Sequence, residues 1–288
     1  MQSSEVCFSL DSKSKEFEMA FAEAFRVEPG KKIDLSKYDP RDSGGFKDKD
    51  KTKAETEDDS IAIDALQNIL YAEGKRALLV VIQGIDSSGK DGTVRAVFNF
   101  CGPIGVVNTS FKGPSAEELS HDFLWRVHKA CPPRGMIGIF NRSHYEDVLV
   151  ARVKKLATPE AIEQRYNQIN DFEKMLVANG TTILKFMLNL SKDEQKLRLE
   201  ERVSDPTKRW KFNPADLADR ALWEDYMRAY EVALTRCSTE HAPWHIIPAD
   251  RNWVRNGAIA KIVRETLEKM DLKFPEPSSW DPKTIRII

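Results

Sequence analysis

The chain has 288 residues, which is enough for one large domain or two small ones with a substantial core. Its 44 basic residues nearly cancel its 45 acidic residues, and the net charge of -1 gives no overall attraction to nucleic acid or to an anionic membrane. A polyanion would therefore have to bind at a local cluster of basic residues.

The four cysteines are far apart in the sequence and form no CxxC pair. This spacing argues against a zinc site and a disulfide framework, and it is typical of a reducing compartment. No apolar run approaches the ~18 residues that cross a bilayer. The start, MQSSEVCFSL, also lacks the basic and apolar regions of a secretory signal. We therefore expect a cytoplasmic protein that binds neither membrane nor nucleic acid.

The N-terminal part is predicted to be a short amphipathic helix over residues 12–26, followed by an extended strap. Residues 29–59 are rich in Gly, Pro, Lys and Asp, a composition that favours a loop. A helix is predicted to begin with Ser60 as its N-cap, because apolar residues follow at helical spacing. We therefore assign residues 1–59 to an N-terminal helix and strap.

Strands and helices alternate through the rest of the chain. ALLVVIQGI, residues 77–85, is a continuous apolar run typical of a strand buried on both faces of a parallel sheet. Further strands are predicted at 105–111, 135–141, 181–190 and 245–249. Helices are predicted around 93–100, 115–130, 159–178, 192–203, 215–236 and 254–269. The alternation predicts an α/β domain over 60–270, with a parallel sheet between two helix layers, and a tail at 271–288.

GIDSSGKDG, residues 84–92, has the spacing of a phosphate-binding loop. It follows a buried type of strand and precedes a helix, as this motif requires. Glycines let the backbone approach a phosphate, the helix presents its positive N-terminal end, and Lys90 adds a full charge. The candidate phosphate ligands here are Gly84, Ser87, Ser88, Gly89, Lys90, Gly92, Thr93 and Arg95.

Asp91 stands where this motif normally has a Ser or Thr that holds magnesium. Magnesium prefers hard oxygen ligands, so another oxygen has to replace the missing hydroxyl. Asp86, inside the loop, is the natural candidate for this metal ligand. A favourable interaction with the helix N-terminus is the simpler explanation for Asp91.

FNRSHYEDVLVARV, residues 140–153, follows the strand predicted at 135–141. Its polar residues therefore lie at the carboxyl end of a strand, where open α/β sheets bind ligands. Arg142 can grip phosphate oxygens with its planar fork, and Glu146 and Asp147 could bind metal or orient a nucleophile. The alternative is a solvated turn with a surface ion pair. His144 is expected to be structural.

RVSDPTKRWKFNPADLADR, residues 202–220, concentrates basic and aromatic residues between two prolines that break the flanking helices. The pattern predicts a mobile lid at about 200–222 that closes over phosphates and excludes water. A basic loop on a solvated face is the alternative. The candidate phosphate ligands are Lys208, Arg209 and Lys211 in the lid, and Lys112 after the strand at 105–111.

In this order and spacing, the three segments resemble the polyphosphate kinase 2 family, over about residues 30–270. The resemblance implies a P-loop kinase fold with a helical lid and phosphate transfer between inorganic polyphosphate and nucleotides with magnesium, for which manganese is an expected substitute. The family's Walker A aspartate and lysine fall on Asp86 and Lys90, and its Walker B arginine falls on Arg142. Its lid cations fall on Lys208 and Lys211. We also expect a homo-oligomer, either a dimer or a tetramer.

RSHYE, residues 142–146, differs from the RSWYN of family members that act mainly on nucleoside diphosphates. Glu146 in the asparagine position resembles the subgroup that phosphorylates both AMP and ADP. The candidates for acceptor choice are Arg142, Glu146 and Asp147, and the carboxylate of Glu146 is a candidate second metal ligand. We therefore expect reversible transfer of the terminal phosphate of polyphosphate to AMP and ADP. A conventional ATP-dependent nucleoside monophosphate kinase and a non-catalytic polyanion-binding protein are the alternatives.

Overall fold

Five parallel strands form one sheet in the computed structural model, which describes residues 21–277 together with 284 and 286. The strands are β1 (Ala77–Gln83), β2 (Val106–Ser110), β3 (Ile137–Asn141), β4 (Thr181–Asn189) and β5 (Trp244–Pro248). Their order across the sheet is β2-β3-β1-β4-β5, so β1 lies in the centre. Every strand predicted from the sequence is confirmed.

Helices cover both faces of the sheet. They are α1 (Lys49–Glu73), α2 (Lys90–Val97), α3 (Ala116–Leu119), α4 (Trp125–Ala130), α5 (Val150–Val153), α6 (Pro159–Ala178), α7 (Lys192–Ser204), α8 (Ala215–Ala221), α9 (Trp223–Cys237) and α10 (Asn252–Lys269). Short 3-10 turns occur at Leu35–Lys37, His144–Asp147 and Arg209–Lys211.

The core lies in two layers because successive residues of a strand point to opposite faces. Leu79 and Val81 of β1 join a cluster with residues of α6 and α9, whereas Leu78 and Val80 join a second cluster with residues of α1 and α10. All seven residues of β1 are buried, as its continuous apolar sequence predicts. The predicted three-layer α/β/α fold is confirmed.

Helix α1 begins twelve residues earlier than predicted, at Lys49 rather than after Ser60. Asp48 is the N-cap, and its carboxylate accepts a hydrogen bond from the backbone N of Lys51 at 2.7 Å. Ser60 is buried within the helix and donates to the carbonyl of Val97. The polar first turns are helical because the small side chain of Thr52 packs against α10 at Gly257, a contact that sequence composition does not reveal. A domain boundary at residue 59 would cut this helix.

Two predicted helices are broken into shorter ones. The segment 115–130 divides into α3 and α4, where the Asp122 carboxylate accepts from the backbone N of Leu124 and starts a new turn. The segment 215–236 divides at Leu222 into α8 and α9.

The two ends of the chain are described only in part. Of the helix predicted over 12–26, residues 12–20 lie outside the described part of the chain, and residues 21–23 are helical. The tail predicted at 271–288 contains no helix or strand in residues 272–277, and most of the remainder lies outside the described residues. Within the described ranges, no helix is both long enough and apolar enough to cross a membrane.

Candidate active site

A cleft of about 1410 Å³ opens at the carboxyl edge of the sheet. It is lined by the loop after β1, the turn after β3, the segment 110–114 after β2, and the first residues of α10. Helices α7 and α8 and the turn between them cover its far side. The cleft thus occupies the place at which open α/β sheets bind ligands.

The loop between β1 and α2 wraps around the Lys90 side chain. The ammonium of Lys90 donates to the carbonyl oxygens of Gly84 at 2.8 Å and Ile85 at 3.2 Å. Burial, and to a lesser extent the charge of Arg142, together lower the pKa of Lys90 to about 8, although nearby carboxylates oppose the shift. The lysine is therefore a cation held in a low-dielectric site, where an approaching anion would be attracted strongly.

Arg142 lies between two carboxylates at the end of β3. Its guanidinium donates to Asp86 Oδ1 at 2.5 Å and to Glu146 Oε2 at 3.1 Å, so it links the phosphate loop to the turn after β3. Burial opposes the charge of Arg142, but Glu146 and Asp86 outweigh that effect, and the pKa of Arg142 is raised. The residue adopts a φ of +62°, and its backbone N donates to the carbonyl of Ile82 in β1.

Asp147 is not part of this three-residue cluster. Its carboxylate lies 3.7 Å from the Arg165 guanidinium and 3.9 Å from that of Arg126. Burial raises the pKa of Asp147, although both arginines favour the ionised form. Asp147 lines the same cleft but faces different cations from those that hold Glu146.

The segment predicted as a lid consists of the end of α7, the 3-10 turn at 209–211 and α8. Lys208 is bound to the carboxylates of Glu201 at 2.5 Å and Asp205 at 3.3 Å, both within this segment. Trp210 is 78% exposed, and the Lys211 ammonium lies 5.0 Å from the centre of its ring. Lys208 and Lys211 both line the cleft.

A family model described as polyphosphate kinase 2 (PPK2) matches residues 46–275. The chain belongs to the polyphosphate kinase 2 family. It is 47% identical over 266 residues to the AMP/ADP-polyphosphate phosphotransferase of Meiothermus ruber, a match that covers 91% of this chain and 98% of that protein. It is 40% identical over 264 residues to the ADP-polyphosphate phosphotransferase of Rhodopseudomonas palustris, covering 88% and 91% of the two chains.

The fold agrees with this assignment. The crystal structure of polyphosphate kinase 2 from Arthrobacter aurescens TC1 superimposes with a TM-score of 0.87 and 44% sequence identity, covering 91% of this chain and 94% of that one. This PPK2 member is therefore an enzyme of the phosphotransferase class with a P-loop kinase-like fold.

Most of the predicted site residues of this PPK2 member meet at the cleft. The residues that line it are Asp86, Ser87, Gly89, Lys90, Gly92, Lys112, Arg142, Glu146, Asp147, Lys208 and Lys211. Gly84 and Ser88 lie just behind this surface, where the Gly84 carbonyl and the Ser88 hydroxyl face the Lys90 ammonium. The clustering supports the sequence analysis, which expected the phosphate loop, the turn after β3 and Lys112 at one edge of the sheet and the other two lysines in a lid.

Three further predicted phosphate ligands, Thr93, Arg95 and Arg209, are also absent from the lining of the main cleft. Thr93 is buried on the inner side of α2, where its hydroxyl faces Asn256 of α10. Arg95 is five positions after Lys90 in α2, so its side chain projects about 140° away from that of Lys90 around the helix axis. It borders two smaller depressions instead. Arg209 donates to the carbonyls of Val203 and Ser204 within the lid segment. None of the three lines the main cleft, and their role as phosphate ligands stays a prediction.

Sequence reasoning missed two arginines that line the cleft and donate to backbone carbonyls of the phosphate loop. Arg198 of α7 donates to the carbonyl of Ser87 at 3.0 Å and to that of Ala249 at 2.7 Å. Arg255 of α10 donates to the carbonyl of Ser88 at 3.0 Å. Burial, and to a lesser extent the charge of Arg198, together lower the pKa of Arg255 to about 9. Both residues belong to ordinary charged helices, so no local pattern distinguishes them.

The cleft has a positive balance that the whole chain lacks. Of the described residues that line it, twelve are basic and nine are acidic, whereas the complete sequence has a net charge of -1. The local basic cluster that a polyanion requires is therefore present in the same cleft as the phosphate loop.

Proposed function

We propose that this protein is a polyphosphate-dependent nucleotide phosphotransferase, which moves the terminal phosphate of inorganic polyphosphate reversibly to AMP and ADP. The observation that carries the proposal is the Arg142 guanidinium, held between Asp86 and Glu146 beside the buried Lys90. Support also comes from the relative in Meiothermus ruber, which is named for both AMP and ADP and aligns over almost its whole length.

The phosphate groups are bound by the loop and its cations. Phosphoryl transfer depends mainly on positioning the reactants and neutralising the charge that spreads over the transferred group. The N-terminal end of α2 supplies backbone N–H groups, and Lys90 supplies a buried cation. Arg142 is already oriented by its two carboxylates, so its fork needs little rearrangement to contact a phosphate.

The lid cations complete the polyanion path. Lys208 and Lys211 lie across the cleft from the phosphate loop, and Lys112 lies at its β2 side. Their charges would compensate those of the phosphates along the chain. The two lid residues are joined to the sheet through flanking helices, a connection suited to closure around a bound substrate.

Asp86 and Glu146 are the residues that would hold a magnesium ion, for which manganese is an expected substitute. Their carboxylates accept from the two terminal nitrogens of the same guanidinium, so both lie within reach of one phosphate group bound at Arg142. Within the described residues, there is no group of three or more His, Cys, Asp or Glu side chains arranged to hold a metal. Magnesium fits this arrangement, because it commonly binds through one or two carboxylates together with substrate phosphates and water. The ion would neutralise charge on the transferred phosphate.

Glu146 is proposed to let the site accept a monophosphate as well as a diphosphate. The phosphate loop fixes the point of transfer, so the nucleoside of AMP must lie one phosphate nearer to it than that of ADP. A carboxylate at position 146 is close to Arg142 and could bind metal or metal-bound water in the space that the shorter acceptor leaves.

We further propose that the protein works in the cytoplasm as a homo-oligomer, a dimer or a tetramer. The supporting observation is the edge strand β2, where Val107 is 41% exposed beside Ile104, which is 71% exposed. Light scattering coupled to size exclusion would determine the subunit number directly.

Incubation of the purified enzyme with AMP, polyphosphate and magnesium, without ATP, tests the proposal. We expect ADP to form first and ATP to follow. ADP that forms only when ATP is supplied would show a conventional nucleoside monophosphate kinase. Salt-sensitive polyphosphate binding with no nucleotide product under any of these conditions would show a non-catalytic polyanion-binding protein.

A further inference from the structure

Beneath the turn that carries Arg142 and Glu146 lies a buried group of four polar side chains. It consists of His144 and Tyr145 in the turn itself, Glu173 on α6 and Lys185 on the central part of β4. All four side chains are fully buried. None of them lines the cleft, so this buried network does not touch the substrate directly.

A single carboxylate holds two consecutive residues of the turn. Glu173 Oε1 accepts from the Tyr145 hydroxyl at 2.9 Å and lies 3.1 Å from His144 Nε2. Glu173 Oε2 accepts from the Lys185 ammonium at 2.6 Å. The turn is therefore anchored from below by side chains immediately before Glu146.

Lys185 holds the Glu173 carboxylate in place. Its ammonium also donates to the Tyr145 hydroxyl at 2.8 Å and to the carbonyl of Cys237 at 2.7 Å, and it lies 5.2 Å from the centre of the Trp244 ring. Burial would raise the pKa of Glu173, but Lys185 and His144 outweigh that effect and the pKa is lowered. The carboxylate thus remains an ionised acceptor for both residues of the turn.

A buried ion pair of this kind is weak evidence for stability. Replacing such a pair with well-packed apolar residues is often neutral or stabilising, because desolvation offsets the attraction between the charges. The network does, however, fix the geometry of one particular turn. Arg142, two residues before His144, has a φ of +62°, a conformation that non-glycine residues keep only when their surroundings determine it.

We propose that Glu173 and Lys185 are positioning residues, which act through His144 and Tyr145 to hold Glu146 and Arg142 in the geometry needed for phosphate transfer. The inference rests on the proposed function, because it assigns these residues to the same phosphotransfer reaction. It predicts that loss of the network lowers kcat, while the capture of polyphosphate by the lid and loop cations is unaffected.

The first test compares Glu173→Gln with the wild type, with ADP as acceptor. The amide is of nearly equal size but carries no charge. We expect kcat per folded molecule to fall about tenfold, with KM for polyphosphate changed less than about twofold. Leu70→Ala, in the opposite core layer, is the matched control because it destabilises the fold without touching the turn. Its kcat per folded molecule should equal that of the wild type.

The double variant Glu173→Gln/Lys185→Met separates positioning from stability and remains informative if the single variant does not fold. Removing both charges should recover much of the stability lost in Glu173→Gln, because no uncompensated charge is left buried. Under our proposal kcat stays about tenfold low in this variant. Recovery of kcat together with stability would overturn the proposal and leave the network a purely structural role.

A double-mutant cycle with Glu146→Asn gives a third readout. If the network acts through Glu146, adding Glu173→Gln to that variant should lower kcat less than it does in the wild type. Equal losses in both backgrounds would contradict positioning of Glu146. Failure of the proposed function is distinguishable, since the wild type would then form no ADP from AMP and polyphosphate.

Discussion

The phosphate-loop centre and the lid contain the same kinds of charged side chain in opposite surroundings. In the centre, Lys90 is buried against backbone carbonyls, and Arg142 is held by carboxylates from two different segments of the chain. In the lid, Lys208 is held by carboxylates of the lid itself, which keep its pKa above the usual value, and Trp210 is exposed.

The difference shows that the burial of a charged side chain determines how strongly it interacts with other charges. Electrostatic interactions are several times stronger in the protein interior than in water, and salt screens exposed pairs. The central groups are therefore suited to stabilising charge at one fixed point. The exposed cations of the lid contribute a weaker attraction over a longer stretch of a polyanion. Substitutions in the two regions should therefore differ in the size and kind of their effects.

Asp86→Asn is expected to have the largest effect. The substitution keeps the size of the side chain but removes a proposed metal ligand and one anionic partner of Arg142. We expect kcat/KM to fall by about three orders of magnitude, equivalent to about 4 kcal/mol of transition-state stabilisation. Circular dichroism should show an unchanged fold. A rate close to that of the wild type at saturating magnesium would contradict the assignment.

Gly89→Ala tests the rigidity of the centre. Gly89 has a φ of +94°, and an added Cβ would lie 2.1 Å from Arg255 Nη1, so the loop or the arginine has to move. We expect kcat/KM for polyphosphate to fall by about two orders of magnitude. Gly45→Ala is a matched control, since Gly45 has a φ of +85° but no atom within 4 Å of the added Cβ. The same loss in both variants would mean that backbone strain, rather than the contact with Arg255, is responsible.

Glu146→Asn should separate the two acceptors. We expect kcat/KM for AMP to fall about tenfold more than that for ADP, equivalent to about 1.4 kcal/mol of differential transition-state stabilisation. The physical reason is that asparagine is neutral and a weaker magnesium ligand. Asp147→Asn provides a comparison, because Asp147 faces Arg126 and Arg165 instead of Arg142. Equal losses with both acceptors, or no loss with either, would remove the proposed role of Glu146.

The buried Lys90 predicts that the stability of the fold depends on pH. Its pKa is about 8 in the folded protein and 10.5 when unperturbed, so between these values the unfolded chain binds more protons. This contribution to stability is fully present above the higher pKa and is lost as the pH falls through the lower one, by about 3 kcal/mol in all.

Polyphosphate binding should change in the opposite direction, because phosphate favours protonated Lys90. We expect the Kd to increase about fivefold between pH 7 and pH 9. Both effects should disappear in Lys90→Met, which can be followed by chemical denaturation and by calorimetric titration. A wild-type free energy of unfolding that stays constant over this pH range would show that Lys90 is not a desolvated cation.

Lys211→Ala in the lid should have the smallest effect. Its ammonium is exposed and lines the cleft, so we expect the KM for polyphosphate to increase only about threefold, with kcat nearly unchanged. The increase should shrink as salt is added. Arg209→Ala is the control, since Arg209 does not line the cleft. A large loss of kcat in Lys211→Ala would show that the lid contributes directly to the chemistry.

Short sequence segments were sufficient to predict the elements of this protein that depend on neighbouring residues. The five strands, the position of the phosphate loop and the placement of Arg142 after β3 follow from short patterns, because a parallel sheet brings the carboxyl ends of its strands to one edge. The predicted helix over 159–178 is confirmed with the same first and last residues. Thr158 is its N-cap and Pro159 is its first residue. The family resemblance rests on the same local segments.

Which residues far apart in the sequence share a site depends on the tertiary structure. The polar start of α1 is helical because it packs on α10, and Arg198 and Arg255 support the phosphate loop from helices that look ordinary in sequence. Glu173 and Lys185 form an ion pair, and Glu173 binds Tyr145 in the turn after β3, although the three residues are far apart in the sequence. Such contacts depend on how whole helices pack against the sheet, and no local pattern encodes the direction in which a single side chain then points.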